Sequence, residues 1–194
     1  MKKIEIMGAS FDPPHRGHGQ IVSGLLDQLV PDEIWLVPAR QHAFSKTLTD
    51  PIHRLAMLEL LLQDFVGKPV EINRYELDKE GVSYSYDTLV HFAEAQPLDT
   101  FAWVIGSDNL ANFPRWYNYL KMLERFSVHV YPRPENPMHP LLPGMIPLNG
   151  VDEVAVSSSD VRKTILAGKD PTELVGEKVA RYIRDNNLYK GEVK

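Results

Sequence analysis

Cysteine is absent from this 194-residue chain. That excludes a disulfide framework, a thiolate metal site and a cysteine nucleophile together. No apolar run is long enough to span a bilayer. The opening Met1-Lys2-Lys3-Ile4-Glu5-Ile6 goes straight into a strand pattern and lacks the apolar segment of a signal peptide. A cytoplasmic protein with no membrane partner is therefore expected. Positive charge is also scarce: 21 Lys and Arg against 26 Asp and Glu give a formal net charge of -5. A general nucleic-acid binder would carry a basic face, so nucleic acid is not expected as a partner. An acidic chain can still hold phosphates, but only through local cations and backbone N–H groups in a compact site.

Strand and helix patterns alternate along the chain. Lys3 to Met7, Glu33 to Val37, Val70 to Asn73, Thr100 to Ile105, Ser127 to Tyr131 and Val151 to Val156 read as strands. Between them, helical spacing runs from Gly17 to Val30, where Pro31 ends it, and from Pro51 to about Phe65. Further helices are predicted from Ser83 to Ala95, Pro114 to Arg125, Ser157 or Ser158 to Leu166, and Gly176 to Asn186. This order predicts a single α/β domain over 1–194: a Rossmann-like, doubly wound, mostly parallel sheet with helices on both faces. Trp35 and Trp103 fall inside strand patterns and are read as core. Pro132 to Pro147 holds six prolines and is read as an irregular surface loop and candidate lid.

The strongest local signal is Gly8-Ala9-Ser10-Phe11-Asp12-Pro13-Pro14-His15-Arg16-Gly17-His18, between the first strand and the first helix. Ligands of open α/β sheets bind at the carboxyl ends of strands. Gly8 would let a ligand approach the backbone, and the helix N-terminus offers free N–H groups to an anion. His15 and His18, three apart, can point to one side of the first turn and stabilise developing negative charge. A two-histidine zinc site is the weaker option, because no third ligand stands nearby.

A second cradle is Ser157-Ser158-Ser159-Asp160-Val161-Arg162: serines at a helix start, with an arginine one turn on. Gly106-Ser107-Asp108-Asn109 ends the central strand, where an acid can accept from a ribose hydroxyl.

The first segment resembles the G-x-[ST]-F-D-P-x-H-x-G-H signature of the histidine-pair nucleotidyltransferases, in the form found in bacterial nicotinate mononucleotide adenylyltransferases. Val156 to Arg162 resembles that family's Ile-Ser-Ser-Thr-x-x-Arg motif, and Gly106 with Asp108 its Gly-x-Asp element. The resemblance implies that His15, His18 and Arg162 act on the triphosphate of ATP. It implies further ATP contacts from Gly8, Ala9, Ser10, Phe11, Gly106, Asp108, Ser157, Ser158 and Ser159. Ser83-Tyr84-Ser85-Tyr86-Asp87-Thr88-Leu89 resembles the family's Ser-Tyr-Thr-x-x-Thr-Leu, with Ser85 in place of threonine, and Phe113 to Trp116 resembles its tryptophan segment. Ser85 and Trp116 would then meet a pyridine mononucleotide, with Lys46 as a further contact from a segment that departs from the family's Pro-Pro-His-Lys. Arg54 is a further candidate cation for phosphate.

The implied reaction is in-line attack of the mononucleotide 5′-phosphate on the α-phosphorus of ATP, with release of pyrophosphate. Mg²⁺ would come with ATP, without a dedicated protein metal site. The same chemistry on nicotinamide mononucleotide, phosphopantetheine or another phosphate acceptor is one alternative, and a non-catalytic nucleotide-binding regulatory module is another. Homo-oligomerisation is left open.

Overall fold

The computed structural model describes residues 1–41, 48–152 and 154–191. Six strands form one sheet: β1 (Lys3–Ala9), β2 (Glu33–Pro38), β3 (Val70–Ile72), β4 (Thr100–Gly106), β5 (Ser127–Tyr131) and β6 (Met145–Pro147). Their order is β3-β2-β1-β4-β5-β6, and all five pairings are parallel. This is the strand order of a doubly wound Rossmann-like sheet, whose direction of winding reverses between β1 and β4.

Alternation along the strands explains why helices cover both faces. Ile4 and Ile6 of β1, Trp35 and Val37 of β2, and Trp103 and Ile105 of β4 enter one core. That core is roofed by Leu89 and Phe92 of α4 (Ser85–Ala95) and Met122 of α5 (Tyr119–Arg125). Met7, Ile34, Leu36 and Val104 point to the other face and meet Ile21, Val22 and Leu25 of α1 (Arg16–Leu29). Each of these three helix residues is at most 1% exposed, so each contributes about 1.5–3 kcal/mol by burial. Both tryptophans expected in the core are there, Trp35 4% and Trp103 2% exposed.

A third cluster sits beside the sheet and recruits the C-terminal part of the chain. Met57 of α2 (Pro51–Leu62) packs with Val161 of α6 (Ser158–Leu166), Val175 of α7 (Thr172–Val175) and Val179 and Ile183 of α8 (Glu177–Asp185). Asp50 starts α2 by accepting from Ile52 N–H at 2.8 Å, with Pro51 in the first turn. A one-turn helix that the sequence pattern did not indicate, α3 (Tyr75–Asp78), precedes α4.

The sixth strand is not where the pattern put it. Val151 to Val156 holds three valines and an alanine, yet its described residues are irregular. The strand is Met145–Pro147, inside the proline-rich stretch read as loop. Val128 faces Met145 and Val130 faces Pro147 in the register. At a sheet edge a proline costs no ladder bond, so Pro147 can sit there. The carbonyls of Val154 and Val156 instead accept from Arg133 Nη1 at 2.6 and 2.9 Å, while Val151 and Val154 still bury their side chains. The helix expected from Pro114 to Arg125 is likewise split into a 3-10 turn at Phe113–Arg115 and α5 from Tyr119.

Candidate active site

The carboxyl ends of β1, β2 and β4 border a cleft of ≈ 440 Å³. Gly8, Ala9, Ser10, Ser85 and Trp116, five of the residues expected to meet substrates, line it. The floor is Trp103: a Cβ on Gly8 would lie 2.1 Å from its Cζ2. Gly8 is thus required by the indole beneath it. The close approach expected of a ligand is made here by the core. Asn109, Arg115 and Tyr117 complete the wall beside Trp116, and Tyr117 stands against Tyr84 with ring centroids 4.9 Å apart.

Glu76 of α3 also lines the cleft and had no signal in the sequence. It is 4% exposed, accepts from Thr88 Oγ1 at 2.7 Å, and its carboxyl is pushed up by burial.

Further along the same loop the two histidine rings lie against each other, with centroids 3.7 Å apart and planes tilted by 32°. His15 caps α1 from an extended backbone, and its N–H donates to His18 Nδ1 at 3.0 Å. That bond fixes the tautomer of His18. A neutral ring accepting at Nδ1 carries its proton on Nε2, so Nε2 is the free donor. His15 Nδ1 is buried without a hydrogen-bond partner among the described residues, and such a group calls for one. Burial, followed by the nearby Arg133 charge, pushes His15 down to about 3. Burial, then His15, then Arg133 hold His18 well below the ordinary imidazole value. Both rings are therefore neutral donors at physiological pH.

Phe11, expected near ATP, is fully buried with its ring 4.8 Å from that of His18. Its φ of 48° is left-handed, rare for so bulky a residue. Its side chain supports His18 from the core side, and with the whole residue buried it is not turned to a ligand.

The second cradle folds onto the first. Ser157 starts α6 in a reciprocal cap with Asp160: Ser157 Oγ accepts from Asp160 N–H at 3.2 Å, and Asp160 Oδ2 accepts from Ser157 N–H at 3.0 Å. Ser158 Oγ donates to Pro13 O at 2.9 Å. Arg162 donates through Nη1 to Asp12 O and through Nη2 to Ser159 Oγ at 3.2 Å. The last motif and the first, some 150 residues apart, thus form one site. Asp108 is 44% exposed at its side chain, with Arg133 Nε 3.8 Å away. A Cβ on Gly106 would lie 2.3 Å from Asp108 Oδ1, so Gly106 makes room for that acid.

Arg133 ties Asp108, β5 and the approach to Ser157 together. Its place in a proline-rich stretch gave no warning of this. Arg54 is a correction: it is fully buried and donates to Ser10 O at 2.6 Å and Thr49 O at 2.9 Å, so it braces the loop and is not turned to a ligand. Lys46 lies outside the described residues.

A cytidylyltransferase-like family model matches residues 6–164. The chain is 34% identical over 196 residues to the nicotinate-nucleotide adenylyltransferase of Bacillus subtilis, with 98% of this chain and 100% of that one covered. It is 36% identical over 194 residues to a probable nicotinate-nucleotide adenylyltransferase of Bacillus cytotoxicus, at the same coverage. Among solved structures it resembles the Plasmodium falciparum nicotinic acid mononucleotide adenylyltransferase complexed with NaAD, with a TM-score of 0.85, 22% identity and 100% of each chain covered.

Proposed function

This chain belongs to the cytidylyltransferase-like family, and with that as premise we propose that it transfers AMP from ATP to nicotinate mononucleotide, releasing pyrophosphate. It is a nucleotidyltransferase, and its full-length relatives carry the nicotinate-nucleotide adenylyltransferase name. The observation that carries the mechanism is the joining of His15, His18, the start of α6 and Arg162 around one loop. Here neutral imidazoles, serine hydroxyls and a guanidinium converge where a triphosphate would lie.

No protein nucleophile is needed. The mononucleotide 5′-phosphate oxygen attacks the α-phosphorus in line, the bond to the bridging oxygen breaks, and pyrophosphate leaves with that electron pair. Catalysis then consists of alignment and stabilisation of charge. His18 Nε2–H and the His15 ring donate to phosphate oxygens as charge builds. Arg162 and the serines of α6 hold the leaving pyrophosphate. Asp108 receives the ribose. Ser85 and Trp116, across the cleft from Gly8 to Ser10, take the pyridine end, with the indole face of Trp116 against the ring.

Mg²⁺ is part of this proposal as a companion of ATP. Among the described residues no three His, Asp or Glu side chains are grouped to hold a metal ion, and both Asp12 oxygens already accept hydrogen bonds. In this reading the ion arrives on the triphosphate and keeps most of its water. A cytoplasmic location belongs to the same proposal. No described helix is long and apolar enough to cross a membrane.

The test is pyrophosphate release with MgATP, comparing nicotinate mononucleotide, nicotinamide mononucleotide and phosphopantetheine. Preference for the first supports the whole reading. Preference for another acceptor overturns the assignment of the pyridine end. ATP binding without pyrophosphate from any acceptor returns the regulatory-module alternative.

A further inference from the structure

Asp12 lies at the middle of the first loop and is 4% exposed. Its carboxylate is turned away from the cleft into protein. Oδ1 accepts from the Tyr189 hydroxyl at 2.7 Å, and Oδ2 accepts from Thr49 N–H at 3.2 Å. Its main-chain oxygen accepts from Arg162. The neighbouring carbonyls are engaged too, Ser10 O by Arg54 and Pro13 O by Ser158. Protein donors thus hold the carbonyls of Ser10, Asp12 and Pro13, so these dipoles are not presented to a triphosphate.

Tyr189 is the most distant member of this network, 177 residues from Asp12 in the chain. It is 8% exposed and packs with Met57, Val161 and Ile183, the cluster formed by α2, α6 and α8. Its φ of 61° is left-handed, which a bulky residue adopts only where its surroundings compensate. The compensation is the ring in that cluster and the hydroxyl on Asp12. Burial, then the Asp12 charge, push the phenol further up from its ordinary value, so it stays protonated as a donor.

We propose that Tyr189 is a positioning residue for AMP transfer: its hydroxyl fixes Asp12, and Asp12 sets the loop that carries His15, His18 and the anchor of Arg162. The proposal rests on the adenylyltransferase reading. It makes the C-terminal segment part of the phosphate site without touching substrate. The packing of α8 and the ring of Tyr189 are a separate, structural contribution, which Tyr189→Phe retains.

The experiment compares full-length wild type, Tyr189→Phe, His18→Ala and the double variant in pyrophosphate release with MgATP and nicotinate mononucleotide. Loss of one charge-assisted hydrogen bond that acts only through the loop is expected to lower kcat about tenfold. KM for the mononucleotide, bound on the other side of the cleft, is expected to stay as in wild type. On the His18→Ala background the same change is expected to cost less than in wild type, because one of the groups being positioned is gone. Wild-type kcat in Tyr189→Phe overturns the proposal. So does a full tenfold loss that persists in the double variant, since that marks a general structural effect. A wild-type chain that releases no pyrophosphate overturns the functional reading instead. Calorimetric MgATP binding then decides the positioning role: weaker binding in Tyr189→Phe supports it and unchanged binding overturns it.

Discussion

Lowering pH should destabilise this protein through its histidine pair, by an amount that the structure bounds. His15 is held at about 3 against an ordinary 6.5. As pH falls, the unfolded chain takes up the proton first, and the folded chain resists until the lower value. The contribution of His15 is therefore fully present above pH 6.5 and is lost progressively towards pH 3. Between pH 7 and pH 5 the difference in proton uptake amounts to about 2 kcal/mol for His15 alone. His18 shifts in the same direction and adds to the loss, so 2 kcal/mol is a lower figure for the pair. For a chain of this length that corresponds to a fall in Tm of roughly 4–8 °C.

The assay is thermal or urea unfolding of the ligand-free protein at both pH values, for wild type and His15→Asn, which cannot titrate. Wild type should lose more stability than the variant, and the gap should open below pH 6.5. Equal losses in the two proteins would refute the argument, because they would mean that His15 protonates as readily in the fold as in the unfolded chain. A saturating anion at the site should reduce the loss, since negative oxygens beside the pair favour its charged form.

Three further outcomes are expected. His18→Ala should lower turnover about 10²–10³-fold, as for loss of one preorganised donor to a developing oxyanion, and near-normal turnover measured by pyrophosphate release would sink the mechanism. Gly8→Ala would set a methyl 2.1 Å from Trp103 and should destabilise by about 1–3 kcal/mol through overpacking, with an intrinsic fluorescence change as the indole moves; unchanged melting would show that the cleft floor is not fixed. Ser157→Ala removes the α6 cap and should cost about 1 kcal/mol, with weaker MgATP binding by calorimetry; unchanged affinity would detach the α6 start from the triphosphate.

Much of this was legible along the chain. Short apolar runs in β1, β2 and β4, alternating with helical spacing, were enough to place the Rossmann-like sheet, because strands buried on both faces read as continuous apolar segments. The loop of His15 and His18 and the start of α6 announced themselves by residue types that only a few local structures require: a cap, a turn, a helix N-terminus. That Ser85 and Trp116 line the cleft was legible only through resemblance, since nothing in their own spacing distinguishes a cleft wall from packing. The misplaced sixth strand shows the limit. Val151 to Val156 has the β-branched composition of a strand, but whether it pairs depends on what competes for its carbonyls, and Arg133 does.

The fold class and the two loop motifs, with their order, could be read along the chain, because these follow from local periodicity and short-range chemistry. Only the tertiary structure decided the roles of side chains whose partners are remote. It turned Arg54 and Asp12 inward as braces, brought Arg162 onto the Asp12 carbonyl, set Trp103 beneath Gly8, put Glu76 in the cleft wall, and carried Tyr189 to the loop at the start of the chain. The physical reason is the same in each case. A charge or hydroxyl is assigned by what surrounds it after burial, and those surroundings come from residues tens to more than a hundred positions away.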